Sequence, residues 1–252
     1  MHIPNVEFTE IPLPLETELF YGFLFEEGPG WASVILERHP GIEGVCSLPT
    51  EEERMAYLNE YLVGAREKNV EQIRQNQESY RTEWEKVGPE LFLVLSDIIG
   101  IRWPAERETI RAMASLNPIC PRFLDDWSFS LYFDFTTPFA MSVIMHESCH
   151  FLYFEKWKQL FPDMDPEKFE SPHIEWHLSE ILAPVILNDP RIQALLGQEA
   201  TFYGIHENVR IGSVSAPEFF SNLYREKGTD FEAFLKEAYE EIQKGREEFI
   251  QL

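Results

Sequence analysis

Residues 146–150 read His-Glu-Ser-Cys-His, two imidazoles one helical turn apart with a carboxylate beside the first. On an α-helix, positions four apart lie on the same face. Both side chains can then reach one metal ion, at about 2.1 Å for zinc. Glu147 follows the first imidazole and can lean over the same point, where a carboxylate takes a proton from metal-bound water. A catalytic zinc needs three protein ligands and one open position, so two histidines are not enough. A second stretch, residues 173–187, supplies the candidates His173, Glu175, His177 and Glu180. Glu180 is favoured because its neighbours Leu178, Ile181, Leu182 and Ala183 are apolar, and a buried carboxylate needs a partner. Glu175 stands nearer the helix start, where the helix dipole stabilises a carboxylate without any metal. It stays open as the alternative ligand, as do the histidines. His177 shares a face with Glu180 and can hydrogen-bond a ligand from behind.

Both stretches need helices to bring these groups together. Thr136-Thr137-Pro138 is a helix start, a hydroxyl cap followed by proline, and no proline or glycine interrupts the chain until Pro162. Phe139, Ser142, Val143, His146, Glu147, His150, Tyr153 and Phe154 fall on one stripe of this helix. Met145, Cys149, Phe151 and Leu152 make the remaining faces apolar too, which predicts a buried helix. A buried, unpaired histidine or glutamate costs several kcal/mol, and a metal removes that cost. Ser171-Pro172 predicts the start of the second helix by the same logic. Pro184 deprives the Glu180 carbonyl of its helical hydrogen bond.

Upstream, residues 128–135 alternate Phe129, Leu131, Phe133 and Phe135 with Ser128, Ser130, Tyr132 and Asp134, a strand pattern. Residues 109–115 predict another strand. Thr50-Glu-Glu-Glu53 is a capping box. It opens one or two long charged helices, with a break expected at Gly64 or at Gly88-Pro89. A short buried helix is expected over Glu90–Ile99, stopped by Gly100. Residues 1–48 predict short strands or irregular packing. Near the end, Ala216-Pro217 opens one helix, and Thr229-Asp-Phe-Glu232 reads as a capping box for a last one running to about Phe249.

The chain has 252 residues, 44% of them hydrophobic, enough for one sizeable core or a catalytic domain with a helical extension. Its formal charge of −23 repels phosphates, which argues against nucleic acid and anionic membranes as partners. Three widely spaced cysteines, Cys46, Cys120 and Cys149, fit neither a disulfide framework nor a metal knuckle. With no signal-peptide pattern and no apolar run of membrane length, the expected setting is cytoplasmic. The expected fold class is α+β. A largely helical N-terminal region, residues 1–104, precedes a metal-binding region, residues 105–252, or the two form one structural unit.

His146, Glu147 and His150, with Glu180 on a following helix, resemble the gluzincin branch of the zincin metallopeptidases. Trp176-His-Leu-Ser-Glu180-Ile-Leu-Ala183 is similar to that branch's Trp-x-x-x-Glu-x-x-Ala segment. The resemblance covers residues 105–190. The metzincin branch fits poorly, since Tyr153 and Lys156 stand where it has Gly and His. The resemblance implies a zincin-like catalytic core, a small antiparallel or mixed sheet over two active-site helices, with additional N- and C-terminal helices. The strand at 128–135 would be the edge strand to which a peptide or protein substrate pairs. It implies Zn2+ as cofactor and Glu147 as general base. Tyr203 or His206 would stabilise the oxyanion. The competing expectation is a non-catalytic zincin-like protein that keeps the metal as a structural centre or binds a protein partner.

Overall fold

The computed structural model describes residues 2–27 and 29–250. They form a mixed α/β structure, mostly helical, in two compact units that are each discontinuous in sequence. The first comprises Pro4–Lys86 with Arg107–Ile144; the second is mainly residues 87–106 and 145–250. The strands after residue 105 fall in the same unit as the N-terminal helices.

In the first unit, β1 (Asn5–Glu10) leads to helices α1 (Leu13–Phe25) and α2 (Pro29–Arg38) and to the long helix α3 (Glu51–Ile99), which continues into the second unit from Val87. Among the described residues up to 48, one short strand forms as expected, and most of the rest is helical rather than irregular. The capping box forms with both reciprocal bonds: Glu53 N–H donates to Thr50 Oγ1 at 3.2 Å and Thr50 N–H to Glu53 Oε2 at 3.2 Å. Neither Gly64 nor Gly88-Pro89 breaks the helix. Proline costs an interior helix one hydrogen bond, but Leu91, Phe92, Leu95 and Ile99 beyond it are buried, and burial outweighs the local loss. Gly100, at φ 74°, ends α3 where the left-handed backbone favours glycine.

Strands β2 (Thr109–Ser115), β3 (Arg122–Phe123) and β4 (Ser128–Tyr132) complete a four-stranded sheet in the order β1-β2-β4-β3. The β1–β2 and β2–β4 pairs are parallel, and β3 runs antiparallel to β4. One correction follows. β4 is not an edge strand, because β2 pairs along one side and the two-residue β3 along the other. Every residue of β4 is buried. Phe20, Leu24, Ile35, Leu58, Leu62 and Ala114 belong to this unit's core. Within it Glu16 is fully buried, and it accepts from Arg66 Nε at 2.7 Å, Ser115 Oγ at 2.7 Å and Leu116 N–H at 2.6 Å.

Helix α4 (Thr137–Leu160) begins at the expected start and carries the motif in its second-unit part, from Met145. Helix α5 (Ile174–Leu187) begins later than expected, with His173 at the N-cap position but making no side-chain cap bond, and Pro172 in the preceding turn across a cis bond from Ser171. The short α6 (Pro190–Leu196) and α7 (Gly204–Asn208) and the hairpin of β5 (Arg210–Ile211) with β6 (Val214–Ser215) follow. Helix α8 (Ala216–Lys227) is capped by Ser215, whose hydroxyl accepts from Glu218 N–H at 3.3 Å. In α9 (Phe231–Lys244) the cap is Asp230, not Thr229, and the helix stops at Lys244 before the separate α10 (Arg246–Ile250). Helix α5 packs against α8, α9 and α10, so it is buried along nearly its whole length. No helix among the described residues is long and apolar enough to cross a membrane.

Candidate metal centre

Within the second unit, α4 and α5 bring His146, His150 and Glu180 to one point, with ligand atoms all within 4.8 Å of one another. His146 Nε2 lies 3.0 Å from His150 Nε2 and 3.1 Å from Glu180 Oε2. His150 Nε2 lies 3.4 Å from Glu180 Oε1. Bonds of about 2.1 Å at tetrahedral angles put neighbouring ligand atoms about 3.4 Å apart. The observed spacings need only a few tenths of an ångström of adjustment to meet that value.

Packing holds these groups in place. The His150 ring stacks on Phe154, with centroids 6.2 Å apart, and Phe154 stacks on Phe169 at 4.4 Å. Phe169 ends the single 3-10 turn between α4 and α5. His150 and Glu180 are buried, while His146 keeps a partly exposed side chain. Glu147 is also buried, on the same helix and outside the converging set. Cys149 points into the core, where burial first, and then Glu147 and Glu180, push its thiol well above the usual range. Its sulfur is not among the converging ligand atoms.

The other sequence candidates lie elsewhere. Glu175 is in the first turn of α5 but is only 1% exposed, so the helix-start argument does not account for it. Its Oε1 accepts from Tyr239 Oη of α9 at 2.8 Å, and its buried Oε2 has no hydrogen-bond partner. His173 turns back to the Glu170 carbonyl at 3.0 Å. His177 Nδ1 meets His206 Nε2 at 3.1 Å. Both rings are neutral near pH 7, each pKa lowered to about 4 chiefly by burial. His206 is completely buried. Tyr203 is exposed and meets the edge of the His206 ring at 6.0 Å.

The His177–His206 bond and the Tyr239–Glu175 bond were not foreseeable from the motif. Their sequence signal is only that polar residues sit in apolar helices. Comparison with protein-family models, with curated proteins and with solved structures returns no match for this chain.

Proposed function

We propose that the chain is a zinc-dependent metallopeptidase with a zincin-like core, hydrolysing peptide bonds in a peptide or protein substrate. One observation carries the reading. His146, His150 and Glu180 converge at near-tetrahedral spacing while Glu147, buried on the same helix, stays outside the set. A structural centre has no use for a carboxylate at that position. Two imidazoles and one carboxylate suit zinc, and three protein ligands leave room for a water.

His146, His150 and Glu180 would hold the ion. Bound zinc supplies Lewis acidity and brings a water's pKa to about 7. Glu147 would take a proton from the attacking water as its oxygen bonds to the scissile carbonyl carbon, and would give that proton to the amine nitrogen as the C–N bond breaks. The strongly acidic composition supports a peptide rather than a nucleic-acid substrate. A reducing cytoplasmic setting belongs to the same proposal, supported by an odd number of free cysteines, one of them buried. With β4 inside the sheet, main-chain pairing of substrate to that strand is not part of the reading.

A peptide library incubated with the zinc-loaded protein tests this. Cleavage should stop with a chelator and return with zinc. Glu147→Gln should keep the metal yet lose about 10²–10⁴-fold in rate. A Glu147→Gln variant as active as wild type contradicts the general-base role. Zinc held by four protein ligands with no cleavage favours a structural centre.

A further inference from the structure

In the first unit, His39 follows α2 and opens the 3-10 helix Pro40–Ser47. It is 6% exposed, and both its ring nitrogens are engaged. Nε2 lies 2.8 Å from the carbonyl oxygen of Leu116, the residue after β2. Nδ1 lies 2.9 Å from Tyr61 Oη of α3. A carbonyl can only accept, so Nε2 carries the ring's hydrogen. The neutral ring then has a bare Nδ1, which accepts from the Tyr61 hydroxyl. Phe20 of α1 and Tyr61 meet the ring edge-on, with centroids at 5.2 and 5.8 Å.

The imidazolium does not fit this setting. With a second hydrogen on Nδ1, that nitrogen can only donate, and the Tyr61 O–H must turn away. Among the described residues the Tyr61 hydroxyl has no other hydrogen-bond acceptor. Glu16 of α1 is the charged group that acts on the ring, but its carboxylate is already engaged. Ser115 Oγ and Leu116 N–H reach its Oε1 at 2.7 and 2.6 Å, and Arg66 of α3 pairs with its Oε2 at 2.6 Å. The chain neighbours Glu37 and Arg38 are exposed. Burial therefore dominates and holds His39 below its ordinary value of 6.5, opposed in part by the Leu116 bond and by Glu16.

We propose that His39 is a pH-sensitive clasp: its neutral ring fastens the start of the 3-10 helix to α3 and to the end of β2, and its protonation in mild acid releases that segment. The clasp is independent of the metal-centre reading. A released ring takes up a proton near pH 6.5, a clasped one only at lower pH. The open form therefore gains as pH falls below 6.5, by up to about tenfold per pH unit until the clasped ring itself titrates.

Amide hydrogen exchange on the full chain, corrected for intrinsic rates and compared at about pH 7.5 and 5.5, tests it. The N–H groups of Ile42 and Leu48, bonded to the carbonyls of His39 and Val45, report the 3-10 helix, and buried Ala112 reports β2. Ile42 and Leu48 should lose up to about tenfold in protection, and Ala112 should not follow. In His39→Gln, whose amide can donate to Leu116 and accept from Tyr61, the loss should vanish. Equal losses in both proteins, no loss in wild type, or an Ala112 that falls in step overturns the proposal. The wild-type ring gives a second reading that needs no variant. Two-bond proton–nitrogen spectra should show His39 as the Nε2–H tautomer at about pH 7.5, titrating below 6.5. A hydrogen on Nδ1 in the neutral ring, or a midpoint at or above 6.5, overturns it equally.

Discussion

Glu180 and Glu175 lie on one helix, both buried, and the account gives them different work. Glu180 meets both motif histidines, whereas Glu175 accepts from Tyr239. Replacing each by glutamine separates the roles. With free zinc held a thousandfold above the wild-type dissociation constant, binding stabilises the fold by about 4.1 kcal/mol. Loss of the carboxylate ligand, taken as about a hundredfold weakening, leaves a tenfold excess and about 1.4 kcal/mol. For a chain of this size each kcal/mol is about 2–4 °C of Tm. The zinc-induced shift should therefore fall from about 8–16 °C in wild type to about 3–6 °C in Glu180→Gln. Glu175→Gln behaves otherwise. Its amide oxygen still accepts from Tyr239, but its NH2 occupies the place of the partnerless Oε2. That costs about 1–3 kcal/mol with or without zinc, so both melting temperatures fall and the zinc-induced shift stays. Differential scanning calorimetry with zinc and with a chelator reads all three proteins. A full shift in Glu180→Gln, or a lost one in Glu175→Gln, refutes the assignment of the third ligand.

Tyr239→Phe should leave both Glu175 oxygens without a donor, lowering stability by about 1–3 kcal/mol in urea denaturation while zinc affinity is unchanged. The zinc-free protein should lose stability as pH falls from about 6.5 towards 4. His177 and His206 stay neutral in the fold down to about pH 4, whereas in the unfolded chain they take up protons near the ordinary value of 6.5. The unfolded state therefore binds more protons across that window and gains on the native state. Denaturation midpoints that rise between pH 6.5 and 4.5 would contradict the burial of the pair.

Local signals were legible where the partners lie within a turn of each other. The Thr50–Glu53 box, the start of α4 and the left-handed Gly100 are all of this kind, and so is the His146–His150 spacing. Features set by distant partners were not. β1 forms a parallel pair with β2, Asn5 opposite Thr109, and nothing in either segment names the other. β4 loses its edge to a two-residue strand too short to carry a pattern. Pro89 reads locally as a helix end, yet the burial of Leu91, Phe92 and Leu95 carries the helix through it. Glu175 looked like a dipole-stabilised residue at a solvated helix start. Tyr239, 64 positions later, is what it meets. At the candidate site, residue type and spacing selected the converging groups, while the histidine pair beside them needed three dimensions.

The central claim is a metal bound by His146, His150 and Glu180 with one position left for water. A crystal of the full chain grown with zinc, with anomalous data collected on both sides of the zinc edge, tests it directly. The account predicts one strong peak about 2.1 Å from His146 Nε2, His150 Nε2 and a Glu180 oxygen, with a solvent ligand completing the tetrahedron. No peak at that point, or a fourth protein ligand in place of the water, would contradict it.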